Sequence, residues 1–289
     1  MADCIWLGTV SSVPTLAGNW STAAVPAADE DVIFPYDATV NVDGGAIVAD
    51  IGSLTVEEGC AISIGTSAAV PLTFVGDDAA TVVNDNGRGV RYLSGQDTVQ
   101  WNVRGKGTVY VDGINNDELN IDADGATVVV GPIRATPAEF DVIGAIAAGN
   151  LVRLVAVTTQ AAGAVPINAI FGAKIYTESS LTTVFQYGGT LYVRGAAGLT
   201  NWYGSAGALH YEGAGTPIAI LSVRASAQAI FDGDFRALTV TNSYLYSGGT
   251  IRDSYGRVVW TNEIQLIECS LSKVTLDLGP NREYTVADL

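Results

Sequence analysis

The residue types that most often carry out chemistry are scarce in this chain. His210 is the only histidine among 289 residues, and the three cysteines, Cys4, Cys60 and Cys269, lie far apart. A Ser-His-Asp or Cys-His mechanism would have to use His210, and a His-based metal centre needs more ligands than the chain offers. The run from Ala208 to Tyr211 is typical of a strand. We therefore expect His210 to be an ordinary strand residue and the cysteines to be free buried thiols.

Paired carboxylates are the remaining catalytic possibility, because many β-solenoid enzymes cleave polysaccharides with Asp or Glu pairs. Solenoid polygalacturonases carry N-T-D, G-D-D, G-H-G and R-I-K motifs in that order. This chain matches one of the four, at Gly76-Asp77-Asp78. A single Gly-Asp-Asp is also an ordinary turn sequence. The sequence therefore predicts no catalytic residues and no enzymatic activity.

One acidic segment is rich enough in oxygen ligands to be compared with calcium sites. Residues from Asp112 to Asp124 include five carboxylates within these thirteen positions, together with Asn and Gly. The segment lacks the spacing of an EF-hand and the tandem glycine-rich nonapeptides of calcium-binding solenoids. Asp, Asn and Gly are also the usual residues of β-corners. We predict no metal and no other cofactor, with Ca²⁺ at Asp112–Asp124 as the alternative, and we interpret Asp29 to Asp31 in the same way.

Composition excludes several classes of partner. The chain has 30 acidic and 14 basic residues, a net charge of −16, and only 15% charged residues in total. Such a chain is a poor binder of nucleic acid, because phosphate contacts need Lys and Arg. No segment is apolar over the ~18 residues that a membrane helix requires. The N-terminus has no signal-peptide pattern, which predicts folding in a reducing cytoplasm.

Short runs of β-forming residues and a glycine-bounded repeat predict the fold. Four heptapeptides start and end with Gly and form two pairs. The pairs are Gly107–Gly113 with 125–131, and Gly189–Gly195 with Gly207–Gly213, and the distance in sequence between the two starting glycines is the same in both pairs. A looser copy begins at Gly249. Repetition with a period of roughly 20 residues and without intervening helices indicates a parallel β-solenoid, with glycine at corners that need a positive φ. An antiparallel sandwich is the alternative.

Alternation within these runs predicts which side chains form the core and how the chain is divided. One set should point inward on stacked coils: Phe74, Val109, Val111, Val128, Val130, Leu191, Val193, Leu209, Tyr211, Leu238 and Val240. We expect an N-terminal arm or cap over residues 1–34 and a solenoid over 35–289, with a break near 132–150. Within that break, Thr136-Pro-Ala-Glu139 has the pattern of a helix start and predicts a short helix near 136–148. A loop is the alternative, because Gly144 and the Ala-rich sequence are compatible with either.

The N-terminal segment carries a specific resemblance. Trp6-Leu-Gly8, Asn19-Trp20-Ser21, Val25-Pro26, Asp31-Val32-Ile33 and Leu54-Thr-Val56 form one string. It resembles the opening of solenoid domains in tailed-phage virion proteins and bacterial surface proteins. The C-terminal half, with Leu238-Thr-Val-Thr241 and Val274-Thr-Leu-Asp-Leu-Gly279, looks like the stacked coils of phage capsid-associated proteins.

This resemblance implies a structural virion protein. It would be a capsid cement or decoration protein, made in the host cytoplasm, that binds the major capsid protein on the capsid exterior as a homotrimer. Trp6, Asn19 and Trp20 are the candidate partner-binding residues, since buried Trp often carries interface energy; the alternative is that both Trp close the end of the solenoid. Two other functions remain open: a receptor-binding tailspike or fibre with possible polysaccharide-degrading activity, and a bacterial adhesin.

Overall fold

The structure is a computed structural model in which two compact units are distinguished, Met1–Thr158 and Thr159–Leu289. It describes residues 2–67, 70–75, 79–84, 89–96, 99–105, 108–114, 118–124, 127–130, 139–144, 151–154, 167–171, 174–177, 181–194, 198–213, 217–233, 236–279 and 285–288. In the strands between 112 and 180 the backbone alone is described.

The described part of the first unit consists of short strands and a single-turn 3-10 helix, Ala17–Asn19. Its strands are β1 Asp3–Ile5, β2 Asp31–Phe34, β3 Gly45–Asp50, β4 Ser53–Val56, β5 Leu72–Val75, β6 Ala79–Asn84, β7 Arg91–Gln96, β8 Val99–Gly105, β9 Thr108–Ile114, β10 Glu118–Asp124, β11 Thr127–Val130, β12 Glu139–Gly144 and β13 Leu151–Leu154.

The second unit has the same character and also contains one 3-10 turn, Leu271–Lys273. Its strands are β14 Ile167–Phe171, β15 Lys174–Thr177, β16 Leu181–Val193, β17 Leu199–Tyr211, β18 Ile218–Val223, β19 Gln228–Ile230, β20 Leu238–Tyr246, β21 Thr250–Arg252, β22 Val258–Trp260, β23 Ile264–Ile267, β24 Thr275–Asp277 and β25 Val286–Asp288. No described helix has the length and apolar character needed to cross a bilayer.

Strand pairing within each unit is that of a parallel β-solenoid, which confirms the predicted fold class. In the first unit, β1, β2, β4, β6, β8, β10 and β12 form one parallel ladder, and β3, β5, β7, β9, β11 and β13 form another. In the second unit, β17, β18, β20, β23 and β25 follow one another in the same way, as do β15, β16, β17, β19, β21 and β24. All of these pairs are parallel, whereas a sandwich of hairpins would pair antiparallel.

The interior is filled by the residues that alternation places on one face. Nine of the eleven predicted core residues are buried: Phe74, Val109, Val111, Leu191, Val193, Leu209, Tyr211, Leu238 and Val240. Val128 and Val130 pair with Val109 and Val111 in the ladder, and their side chains lie outside the described part. Because successive strands stack in register, each inward residue packs on its counterpart one coil away.

The glycine-bounded repeat corresponds to coils, and its corners need glycine where predicted. Thr190 to Val193 pair residue by residue with Ala208 to Tyr211, so the register of these strands equals the spacing of the glycines before them. Gly189 and Gly207 have φ of +61° and +78°. A Cβ on Gly207 would lie 2.3 Å from the carbonyl oxygen of Gly189, so an L side chain is excluded on steric grounds as well.

The helix expected near 136–148 is wrong over its described part. Residues Glu139–Gly144 form strand β12, which pairs in parallel with β10 from Glu118 to Ala123. The sequence Glu-Phe-Asp-Val at 139–142 alternates polar and apolar residues, and pairing supplies backbone groups with partners in the neighbouring coil. Tertiary pairing therefore overrides the local capping pattern. Residues 136–138 and 145–148 lie outside the described residues.

Candidate functional site

Two buried tryptophans close the N-terminal end of the first unit. Trp6 and Trp20 are each 1% exposed, with ring centroids 5.1 Å apart at 74°, and both rings lie about 6 Å from Phe34 of β2. Trp6 Nε1 donates to the carbonyl oxygen of Val40 at 3.0 Å, and Trp20 Nε1 donates to that of Pro14 at 2.8 Å. Both indole N–H groups are thus satisfied, as burial requires.

Asn19 holds the loop that lies between these two tryptophans in the chain. Its Oδ1 accepts hydrogen bonds from the backbone N–H groups of Val10 and Ser11, both at 2.9 Å. Its Nδ2 donates to the carbonyl oxygen of Val13 at 2.8 Å. A buried amide that makes three backbone bonds fixes a loop without regular structure, because those backbone groups have no ladder partner of their own.

The three candidate partner-binding residues therefore come together, and their side chains face the interior. Trp6 directly follows strand β1, and β1 pairs with β2. This arrangement corresponds to the cap alternative for the tryptophans. Partner binding through Trp6, Asn19 and Trp20 stays a prediction, and in this structure all three are buried against their own chain.

His210 lies on the outer side of strand β17, between the buried residues Leu209 and Tyr211. Its ring stacks on Tyr192 of the previous coil, with centroids 4.7 Å apart at 18°. Partial burial lowers the pKa of His210 below its ordinary value, and nearby Arg194 and Arg252 act in the same direction. The carboxylates of Glu212 and Asp232 act to raise the pKa, but the effect of burial is larger. The neutral form of the imidazole is therefore favoured.

We expect NMR titration of the imidazole Cε1–H signal to give a midpoint below about 6.5 in the folded protein and near 6.5 in urea. The chain has one histidine, so one signal reports the site. Because the folded pKa is depressed, the unfolded chain binds more protons in the window just below 6.5. The contribution of His210 to stability is complete above that window and is lost as the pH falls through it. A folded midpoint at or above the urea value would show that the carboxylates outweigh burial.

Most of the described carboxylates near the N-terminal end make local structural contacts. Glu30 accepts the N–H of Ala27 at 2.9 Å. Asp31 of β2 accepts the hydroxyl of Ser53 of β4 at 2.7 Å, which ties one coil to the next. These bonds are the ones that carboxylates make in β-corners. In the described part of the chain, no group of three or more His, Cys, Asp or Glu side chains has the spacing of a metal site.

The other carboxylate candidates lie largely outside what the structure describes. Asp77 and Asp78 are outside the described residues. In the Asp112–Asp124 segment, residues 112–114 and 118–124 belong to strands β9 and β10, and 115–117 are not described. The Ca²⁺ alternative there stays a prediction.

A buried carboxylate organises the turn between β21 and β22. Both oxygens of Asp253 accept backbone N–H groups, from Arg257 at 2.9 Å and from Val258 at 2.8 Å. The Arg257 guanidinium is also buried; it donates to the carbonyl oxygen of Gly213 at 2.8 Å and lies 5.9 Å from the ring of Tyr211. Burial raises the pKa of Asp253 against the lowering effect of these donors. Through Arg257, this turn is joined to the backbone of Gly213.

Arg91 and Gln186 are among the further polar side chains that are buried, and neither stood out in the sequence. The guanidinium of Arg91 donates to the carbonyl oxygens of Ile62 and Cys60. Gln186 Nε2 donates to the carbonyl oxygens of Gly188 and Gly189 at 3.0 and 3.1 Å. The available signal was position: Gln186 precedes a Gly-Gly corner whose carbonyls need donors. Cys4 and Cys60 are buried free thiols, and burial raises the pKa of each.

Aromatic pairs stack along the outer surface of the second unit. Phe185 and Tyr203 pair at 5.1 Å and 16°, one coil apart, in addition to the Tyr192–His210 pair. An ion pair joins Arg194 to Glu212 at 2.9 Å in the next coil. These cross-strand contacts form because β16 and β17 pair in parallel, which places equivalent positions of successive coils side by side. Comparison with known proteins adds no assignment: no family model, no curated protein and no solved structure matches this chain.

Proposed function

We propose that this protein is a structural component of a tailed-phage virion, a cement or decoration protein that binds the shell of major capsid protein as a homotrimer. The proposal rests on one observation: the described polar side chains that could have served in catalysis make structural contacts instead. Asp31 and His210 contact the neighbouring coil, and Asp253 fixes its own turn, so these side chains support the solenoid itself. A repeated surface that keeps its shape is what a decoration protein needs in order to bind many equivalent sites.

Charge and sequence pattern support an outward position on the particle. The net charge of −16 disfavours contact with DNA inside a shell and is compatible with the capsid exterior. The N-terminal string from Trp6-Leu-Gly8 to Leu54-Thr-Val56 supplies the resemblance to virion solenoids. In this proposal, the chain contacts capsid subunits through exposed residues around its N-terminal end.

A direct test combines oligomeric state with copy number. Sedimentation equilibrium of the purified protein is expected to give three times 29.9 kDa, about 90 kDa. Quantitative mass spectrometry of purified particles that contain the chain is expected to give hundreds of copies, because a shell offers many equivalent sites. A monomer in solution, or a few to dozens of copies per particle, would contradict the proposal.

A second candidate is a tailspike or fibre that binds receptor polysaccharide. The stacked outer rings of Tyr192 with His210 and Phe185 with Tyr203 favour it, since aromatic faces offer apolar surface at a wet boundary. Incubation of the purified protein with host polysaccharide separates the two candidates. We expect no release of oligosaccharides; release that is abolished by Asp77→Asn with Asp78→Asn would establish a degrading tailspike.

A further inference from the structure

An apolar cleft of about 160 Å³ lies between the N-terminal segment and strand β3. Pro14, Val25 and Pro26 form one wall, and Ile47 and Val48 form the other. An apolar cavity of about 150 Å³ is large enough to bind benzene. The cleft therefore has room for one large apolar side chain, such as that of Phe or Leu.

The wall of the cleft that contains Pro14 is held in place by the buried residues Asn19 and Trp20. Trp20 Nε1 bonds to the carbonyl oxygen of Pro14, and Asn19 Nδ2 bonds to that of Val13. Pro14 also packs on Gly45 at the start of β3, where an added Cβ would lie 3.1 Å from Pro14 Cγ. This wall is thus preorganised, which reduces the entropy cost of binding.

Strand β3 forms the opposite wall and presents an apolar side chain on its outer face. Strand β3 pairs with β5 at Ile47 and again at Asp50, and the register shifts between them. Val48 lies in this shift and is 83% exposed, although its valine side chain is apolar. Because Ile47 is buried, strand alternation places Val48 on the outer face. Val48 and the apolar lining of the cleft form one contiguous apolar surface, of the kind that binds a partner.

The charge around the cleft has one sign. Residues 1–87 contain 12 Asp and Glu and no Lys or Arg. Asp43 flanks one end, where its carboxylate accepts the hydroxyl of Ser12 at 2.6 Å. Asp29 and Asp50 flank the other, with the N–H of Asp29 donating to the carbonyl oxygen of Asp50 at 2.9 Å. A second copy of the same face would carry the same negative charge and would be repelled.

We propose that this cleft docks a basic protein segment, which inserts one large apolar side chain against Val48 and Pro14. Lys or Arg residues on either side of that anchor pair with Asp43 at one end and with Asp29 at the other. Apolar burial supplies the affinity, and the acidic rim selects the charge of the partner and speeds encounter. This site goes beyond the proposed virion function and does not depend on it.

Peptide binding to the full-length protein tests the proposal. The probes are amidated, acetylated pentapeptides: Lys-Lys-Phe-Lys-Lys, the same peptide with Ala in place of Phe, and Glu-Glu-Phe-Glu-Glu. Isothermal titration should show binding of the first peptide, binding weaker by roughly tenfold or more for the second because the apolar anchor is missing, and none for the third. Equal binding of the Phe and Ala peptides, or of the basic and acidic peptides, would overturn the proposal.

A matched pair of variants locates the site. Val48→Lys places a cation and a polar chain at the cleft and is expected to weaken binding of the basic Phe peptide by roughly tenfold or more. Val10→Lys makes the same change at a 64% exposed valine of the N-terminal segment that does not line the cleft, and should leave binding within about twofold. Both positions are exposed, so circular dichroism should show folded protein for each.

Unchanged binding by Val48→Lys would overturn the proposal. So would conversion of a wild-type oligomer to monomers by Val48→Lys, because the cleft would then bind a second copy.

Discussion

Replacing Trp20 with alanine is expected to lower the free energy of unfolding of the N-terminal unit by roughly 3–5 kcal/mol. The side chain is 1% exposed, it packs edge-on against Trp6, and its indole N–H bonds to Pro14. Removing it leaves a cavity at the end of the solenoid and an unpaired carbonyl in the loop. Urea unfolding followed by far-UV circular dichroism measures the change.

The matched control for this prediction is Leu16→Ala, slightly earlier in the same loop. Leu16 is 42% exposed, so its truncation should cost less than about 1 kcal/mol. A loss below about 1 kcal/mol for Trp20→Ala as well would show that residues 1–34 form a separable arm.

Deletion of residues 1–20 extends the same test to function. It removes β1 and both tryptophans, which cover Val32 and Phe34 of β2. We expect a misfolded or strongly destabilised protein, because these two apolar side chains would be left without their cover. A truncated protein that folds and trimerises but no longer decorates capsids would instead assign residues 1–20 to partner binding.

Substitution of Gly207 by alanine is expected to destabilise the second unit by roughly 3 kcal/mol or more. Two costs add at this corner. The backbone has φ of +78°, which an L residue adopts at about 1–2 kcal/mol. The new Cβ would also lie 2.3 Å from the carbonyl oxygen of Gly189, and that oxygen belongs to the backbone of the adjacent coil.

Gly59 provides a control that separates the two costs. Its φ is +86°, but an added Cβ would meet only Tyr36 Cβ at an ordinary 3.5 Å. Gly59→Ala should therefore cost only the backbone component, about 1–2 kcal/mol. Thermal or urea unfolding of both variants measures the difference. Equal losses for Gly207→Ala and Gly59→Ala would mean that the coil spacing relaxes to accommodate the methyl group.

The two pairs of heptapeptides differ in how well their sequence spacing matches the structural register. Thr190, which follows Gly189, pairs with Ala208, which follows Gly207, so here the register equals the glycine spacing. Gly107 and Gly125 have the same spacing, yet Thr108 pairs with Thr127, one position beyond the residue that follows Gly125. A slip of one position would exchange the two faces of the strand, so apolar alternation sets the register and the glycine position does not.

Local sequence signals were also insufficient where two interpretations matched the same residues. The pattern Thr136-Pro-Ala-Glu139 is typical of a helix start, and Glu139–Gly144 nevertheless forms β12. The alternating residues that follow are compatible with a strand, and the neighbouring strand β10 supplies hydrogen-bond partners that an isolated segment lacks. Secondary structure at such a segment depends on its neighbours in space.

The sequence alone determined the fold class and the identity of the core residues, because both follow from local periodicity. Alternation assigns a face to each strand residue, and the regular recurrence of glycine-bounded strands favours coils that stack in parallel over an antiparallel sandwich. Only the tertiary structure decided which polar groups lie inside, such as Arg91 and Asp253, and which loop covers the first coil. The cleft between Pro14 and Val48 is likewise a feature that only the tertiary structure decided. Its walls come from well-separated parts of the chain, the N-terminal segment and strand β3, so no local pattern specifies their contact.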